Sequence, residues 1–200
     1  MKKILALLLA LTLTGVLVVS AFAAPSPTPV VTSDPVTGGT IAEYPDGTII
    51  ITIGDDTYTF TDIADHWGKD AICEVVLKQL MIGYPDGKFH PEDGLSAAMV
   101  YTVIARINDA DIQTTGDGWV DAAVSYAQDN GFAIDVDPEA TLTRTQMVDI
   151  FAAAEEVEGD PVEWAQEAGL LKGDENGDLM LDKMLTRAEF ATVLVRYLAK

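Results

Sequence analysis

Two stretches of this 200-residue chain align without a gap at an offset of 90: IGYPDGKFHPEDGLSAAMV at 82–100 and KGDENGDLMLDKMLTRAEF at 172–190. Gly83 falls on Gly173, Gly87 on Gly177, Leu95 on Leu185 and Ser96 on Thr186. A third version, VDPEATLTRTQM at 136–147, sets Val136, Pro138, Leu142 and Thr143 where the first has Phe89, Pro91, Leu95 and Ser96; its loop is about five residues shorter. Upstream blocks match as well. Trp67 stands five residues before Ile72, and Trp119 five before Val124; in the third copy Val157 replaces the tryptophan ahead of Val162. A repeat of about 45 residues implies stacked supersecondary units, none able to bury its apolar face alone.

Each unit reads as helix–loop–helix. The second helices carry apolar residues at one spacing: Val100, Val103, Ile104, Ile107; Met147, Ile150, Phe151, Ala154; Phe190, Val193, Leu194, Tyr197. That spacing is i, i+3, i+4, i+7, one face of a helix. The first helices are expected over 66–79, 119–130 and 160–168, with Gly131 and Gly169 just past two of the ends. The pattern predicts a mainly α fold: three helix–loop–helix repeats in a pseudo-threefold bundle over 58–200, preceded by a small β-hairpin.

The start of each second helix has its own chemistry. Thr186 with Glu189, and Thr143 with Gln146, have capping-box spacing; Ser96 keeps the cap, and Met99 replaces the box partner. Leu95, Leu142 and Leu185 precede the caps, and Val100, Met147 and Phe190 follow four positions beyond, as hydrophobic staples do. Capping accounts for all of these residues but not for Arg144 and Arg187. Both sit at the first helical position, where the helix dipole disfavours a cation by roughly 0.3–1 kcal/mol. The chain has four arginines, and two of them are here. One reading is a salt bridge to a nearby carboxylate. The other is that the planar guanidinium grips an anionic or polyhydroxyl ligand, helped by free N–H groups of the same helix end.

The rest of the chain sets the context. MKK followed by ILALLLALTLTGVLVV and AFA at 21–23 has the form of a signal peptide over 1–23. Residues 24–42 are rich in Pro, Ser, Thr and Gly and read as a weakly ordered linker; TIIITI and TYTF around GDD read as the hairpin, 43–60. The repeats then occupy 58–109, 110–156 and 157–200. Without Lys2 and Lys3 the chain keeps 10 basic against 32 acidic residues. That excludes nucleic acid, whose phosphates need basic patches, and disfavours anionic membrane surfaces once the signal is removed. Cys73 is the only cysteine, so no intrachain disulfide forms.

Catalysis and metal binding find little support. Two histidines, His66 and His90, are present, with no legible nucleophile–base arrangement. The expectation is a non-enzymatic protein without a cofactor. Asp174, Asn176 and Asp178 imitate the start of an EF-hand loop, which needs Gly at position six and Glu at position twelve; Leu179 and Leu185 stand there. No metal site is expected.

With FTDIADHWGKDAI, GYPDGKFHP and LTRAEF, the repeats over 58–200 resemble S-layer homology domains, the triplicated modules that fasten exported proteins to bacterial cell walls. The resemblance implies a pseudo-trimeric helical fold whose grooves bind secondary cell-wall polysaccharide, often bearing acidic pyruvate ketals. It places the groove-forming arginine of TRAE on Arg187 and, in the variant TRTQ, on Arg144. It implies a secreted protein of the cell wall or cell surface. Trp67 and Trp119 either stack on sugar rings or pack in the core. Asp62 is either the family's early aspartate or a turn former. Tyr84 either touches sugar or serves the YPDG turn. The sequence departs from the family where Ala97 replaces the arginine in the first repeat, the third repeat lacks its tryptophan, and the second lacks the GYPDG loop. These losses support a different reading, an acidic envelope or assembly module that has lost polysaccharide binding.

Overall fold

The computed structural model describes residues 28–199. The signal peptide expected over 1–23 lies outside them. Among the described residues, four strands come first, β1 (Val30–Ser33), β2 (Thr40–Glu43), β3 (Ile49–Ile53) and β4 (Asp56–Phe60), followed by six helices. These are α1 (Lys69–Leu77), α2 (Ala97–Ile107), α3 (Trp119–Asp129), α4 (Arg144–Ala154), α5 (Pro161–Glu167) and α6 (Arg187–Leu198). No helix among the described residues is long and apolar enough to cross a membrane.

This is a mixed α/β fold and corrects the expected mainly α, pseudo-threefold bundle with a small hairpin. The strands form one antiparallel sheet in the order β1-β2-β3-β4. Register runs Ile41 opposite Ile51, and Ile51 opposite Tyr58. β1 and most of β2 arise inside the stretch whose composition reads as linker. The polar residues there make the connecting turn: Asp34 accepts from the backbone N–H of Val36 at 2.9 Å and from the Thr37 hydroxyl at 2.8 Å. Two strands alone are marginal in water, and adding two more gives the sheet a face to bury. Ile49, Ile51 and Phe60 are within 1 % of complete burial. Gly39 lets the sheet come close: a Cβ there would stand 2.6 Å from Leu77 Cδ2 and 3.0 Å from the Thr52 carbonyl.

The helix pairs differ in their contact with the sheet. α1 packs on α6 and also on β3, and no other helix packs as closely on the sheet; α2 packs on α3, and α4 on α5. The likeness between the repeats is strongest at the helix starts. Leu95 N–H donates to Leu185 O at 2.9 Å, Leu185 N–H to Leu142 O at 2.9 Å, and Leu142 N–H to Leu95 O at 2.8 Å. The three leucines, all buried, thus close a ring of backbone hydrogen bonds beneath α2, α4 and α6. Capping boxes are present at Thr143 with Gln146 and at Thr186 with Glu189; Ser96 caps α2 without one.

Candidate functional site

The ring of helix starts brings chain-distant segments together around Arg187. Its guanidinium is buried, with 5 % of the residue exposed. Nε donates to the Phe89 carbonyl at 3.0 Å and Nη2 to the Ile82 carbonyl at 2.9 Å. The guanidinium carbon lies 4.9 Å from the centre of the Tyr84 ring and 4.5 Å from that of Phe89, within cation–π range. The backbone N–H groups expected to help it are already used. Those of Arg187 and Ala188 donate to Asp93 O and Pro91 O, and that of Glu189 donates to the Thr186 hydroxyl. At this helix end the side chain, and not the backbone, is what faces the cavity.

Arg187 opens on a cavity of about 470 Å³. Tyr84, Met99, Arg106, Thr115 and Trp119 contribute to its wall, and no Asp or Glu does. The structure therefore gathers Arg187, Tyr84 and Trp119 at one site. Trp119 is half-buried at the start of α3, and Tyr84 is 38 % exposed. Asp62 supports the site from behind: its carboxylate accepts from the backbone N–H groups of Phe89 at 3.0 Å and His90 at 2.8 Å, fixing the strand-like end of the 82–90 loop. That loop is a tight turn, with Tyr84 N–H donating to Lys88 O at 2.8 Å and Gly87 N–H to Tyr84 O at 3.1 Å. The earlier YPDG, at 44–47, makes the same turn between β2 and β3, with Tyr44 N–H donating to Thr48 O.

Arg106 is a wall residue that the sequence reading did not single out. It sits in the last turn of α2 and donates to Leu80 O at 2.9 Å and Thr114 O at 3.2 Å. Burial lowers its pKa, and the nearby Arg187 lowers it further; Tyr58 opposes the shift. Burial lowers the Arg187 pKa too, opposed by Tyr84, Asp93 and Asp62. Both remain cations at any ordinary pH. The only local clue to Arg106 is the scarcity of arginine in the chain.

The remaining candidates lie elsewhere. Thr186 and Glu189, Thr143 and Gln146 are occupied as caps. Arg144, 8 % exposed, donates to the Lys172 carbonyl at 3.0 Å, and its Nε has no partner. Arg196 faces it as a like charge, and its buried Nε is unpaired as well. Trp67 is 64 % exposed, so the core-packing alternative does not hold for it. It stacks at a tilt against His66, whose Nε2 meets Glu92 at 2.7 Å. Among the described residues no arginine lies within salt-bridge distance of a carboxylate; the ion pairs involve lysines and histidines. No cluster among the described residues has the makings of a metal site.

Comparison with known proteins places part of this architecture. The S-layer homology domain family matches residues 59–96, from the end of β4 to the cap of α2. Cell surface glycoprotein 1 of Acetivibrio thermocellus is 31 % identical over 118 residues, which is 59 % of this chain and 4 % of that protein. The Cellulosome-anchoring protein of the same organism is 28 % identical over 118 residues, 59 % of this chain and 21 % of the relative. Outer membrane protein SlpA of Deinococcus radiodurans is 42 % identical over 50 residues, 24 % of this chain and 4 % of the relative. The chain thus spans a small share of each relative's length. With Asp62, Trp67 and Tyr84 inside the matched segment, residues 59–96 are an S-layer homology domain.

Proposed function

We propose that this is an exported, non-catalytic module that anchors to the bacterial cell wall by binding secondary cell-wall polysaccharide, with an acidic group of the polymer seated against Arg187. The observation that carries the reading is the isolation of the arginines. In a chain with 32 acidic residues, Arg187 and Arg106 face one cavity and neither has a carboxylate partner. A buried cation with no carboxylate in salt-bridge reach costs free energy that an anionic ligand offsets on binding. Tyr84 and Trp119 give that ligand aromatic faces to lie against. The S-layer homology match at 59–96 and the anchoring and cell-surface names of the relatives support the wall as the location.

The test is co-sedimentation of the chain with purified walls, before and after the secondary polymer is stripped. Wild type should sediment only with unstripped walls. Arg187→Ala should weaken binding by about tenfold or more, the loss of one or two charge-assisted hydrogen bonds. Arg187→Lys should recover little, because lysine keeps the charge and loses the fork. If Arg187→Ala and Arg144→Ala together left sedimentation unchanged, the arginine assignment would be wrong.

A further inference from the structure

Tyr84 meets Arg187 on one side and His90 on another. The Arg187 guanidinium carbon lies 4.9 Å from the centre of the Tyr84 ring. The His90 imidazole centre lies 5.0 Å from it, with the two rings nearly perpendicular at 83°. Tyr84 and Arg187 line the cavity and His90 does not, so His90 stands one side chain away from the anion site.

Its place is fixed from several directions. The backbone φ of 55° is left-handed, a conformation that histidine adopts more readily than most residues. The Asp62 carboxylate accepts from the His90 N–H at 2.8 Å, and the His90 carbonyl accepts from the Asp93 N–H at 3.2 Å. The imidazole itself stands between two carboxylates. Nε2 lies 2.8 Å from Asp86 Oδ2, and Nδ1 lies 3.8 Å from Asp93 Oδ2. An ionised carboxylate only accepts, so Nε2 carries a proton and donates to Asp86. That hydrogen bond is the largest cause holding the Asp86 carboxyl below its usual range. Asp86 in turn shapes the Tyr84 turn by accepting from the Lys88 N–H at 3.1 Å.

The charge on His90 therefore matters to the cavity in two ways. As a cation it has an N–H on each side, one for Asp86 and one toward Asp93, and the ring is held beside Tyr84. As a neutral ring it keeps the proton on Nε2 and leaves a lone pair facing Asp93. Lys88 is then the one cation left near Asp62, Asp86 and Asp93 apart from Arg187 itself. These pairs are partly exposed and stabilise the fold little. Their field still reaches an anion at Arg187, since the Debye length at physiological salt is about 8 Å. Arg106 borders this cavity and also a second one, of about 560 Å³, that carries Lys78, Asp109 and Asp111. Lysine, arginine and aspartate hold fixed charges near neutral pH, whereas histidine changes charge there. Burial pushes the Cys73 thiol up to about 11, and the chain's other histidine, His66, is engaged with Glu92.

We propose that His90 is a positioning residue of the anion site: as a cation between Asp86 and Asp93 it braces Tyr84 beside Arg187 and offsets the repulsion that these carboxylates exert on an acidic sugar unit, so that binding weakens as the ring loses its proton. This rests on the polysaccharide reading above and adds to it a pH dependence carried by one residue.

The experiment is calorimetric titration of the purified chain with a methyl hexoside carrying a pyruvate ketal, whose carboxylate stays ionised, at about pH 6 and about pH 8. Wild type should bind about fivefold more tightly at the lower pH. Midway between the two it should take up protons on binding, read as a dependence of the heat on the ionisation enthalpy of the buffer. His90→Asn suits the left-handed backbone and should reduce the difference to less than about twofold, with no proton uptake. Asp86→Asn keeps an acceptor for the Lys88 N–H and should bind more tightly than wild type at the higher pH. His66→Gln should keep the full difference. Equal wild-type affinities at the two pH values would overturn the role of His90 and leave the polysaccharide reading in place. So would a difference that survived His90→Asn or vanished in His66→Gln. Failure of wild type to bind the probe at either pH would overturn both.

Discussion

A buried guanidinium that finds carbonyls, aromatic faces and the Met99 thioether, and no carboxylate in salt-bridge reach, is an unusual residue in so acidic a chain. Arg187 is held by Phe89 O and Ile82 O, and the residues that hold it are 98 and 105 positions away in sequence. Its first-turn position on a capped helix is legible from TRAEF; its partners are not, because they depend on which loop the fold brings across. Trp67 makes the opposite point. Its helix-start position suggests burial, yet it stays exposed beside His66 and Glu92. Cys73 is the most directly testable single residue. It is buried, and the desolvation of its thiolate pushes its pKa up to about 11. A thiol whose folded pKa is raised favours the folded state while neutral, so its contribution fades as pH climbs from the unfolded value toward 11. Ellman's reagent at pH 8 should leave Cys73 unmodified in the native protein and modify it fully in 6 M guanidinium chloride. Rapid native labelling would show that the thiol is accessible.

At the scale of elements, helices and sheet differ in how much the sequence reveals. The helix starts are encoded within five or six residues: a leucine, a hydroxyl cap, a box partner and a staple. The expected first helices at 119–130 and 160–168 correspond to Trp119–Asp129 and Pro161–Glu167, while 66–79 narrows to Lys69–Leu77. The sheet was half hidden. TIIITI and TYTF announce β3 and β4, but VVTS and TIAE are short, and the Pro, Gly and Asp around them mask their strand character. β2 is a strand because β3 has a free edge and Ile41 can pack beside the core. Gly39→Ala tests that packing. The added methyl would meet Leu77 and the Thr52 carbonyl, and overpacking of this kind costs about 1–3 kcal/mol. The expected result is a clear fall in the thermal midpoint by calorimetry. An unchanged midpoint would mean that the sheet rests only loosely on α1.

Over the whole molecule, charge governs how stability answers to pH and salt. The formal net charge is −20 at pH 7, and the isoelectric point is about 4.1. Self-repulsion of this size weakens the compact state and is screened by salt. Several exposed carboxylates pull the other way at low pH. His90 holds the Asp86 pKa down, His66 that of Glu92, and backbone N–H groups those of Asp34, Asp46 and Asp174. A carboxylate whose folded pKa is depressed stabilises the fold above its unfolded pKa and loses that contribution as pH falls through the folded value. The thermal midpoint should therefore rise from pH 7 to about 5 as repulsion eases, then drop below about pH 4 as the turn carboxylates protonate. At pH 7, 0.5 M sodium chloride should raise it. A midpoint that fell steadily from pH 7 downward, or ignored salt, would show that repulsion is not the governing term.

The sequence alone determined what is local: the repeated helix starts, their caps and leucines, the YPDG turns, and the acidity of the chain. It also carried the motifs that mark 59–96 as an S-layer homology segment. Tertiary structure decided what depends on distant contacts. It built a four-stranded sheet where a hairpin was expected, placed Arg106 near Arg187, and set two cavities of different charge on either side of Arg106. The physical reason is range. A cap or a turn is settled by atoms a few residues apart, whereas a buried cation, a sheet edge and a cavity acquire their surroundings only when chain-distant segments close around them.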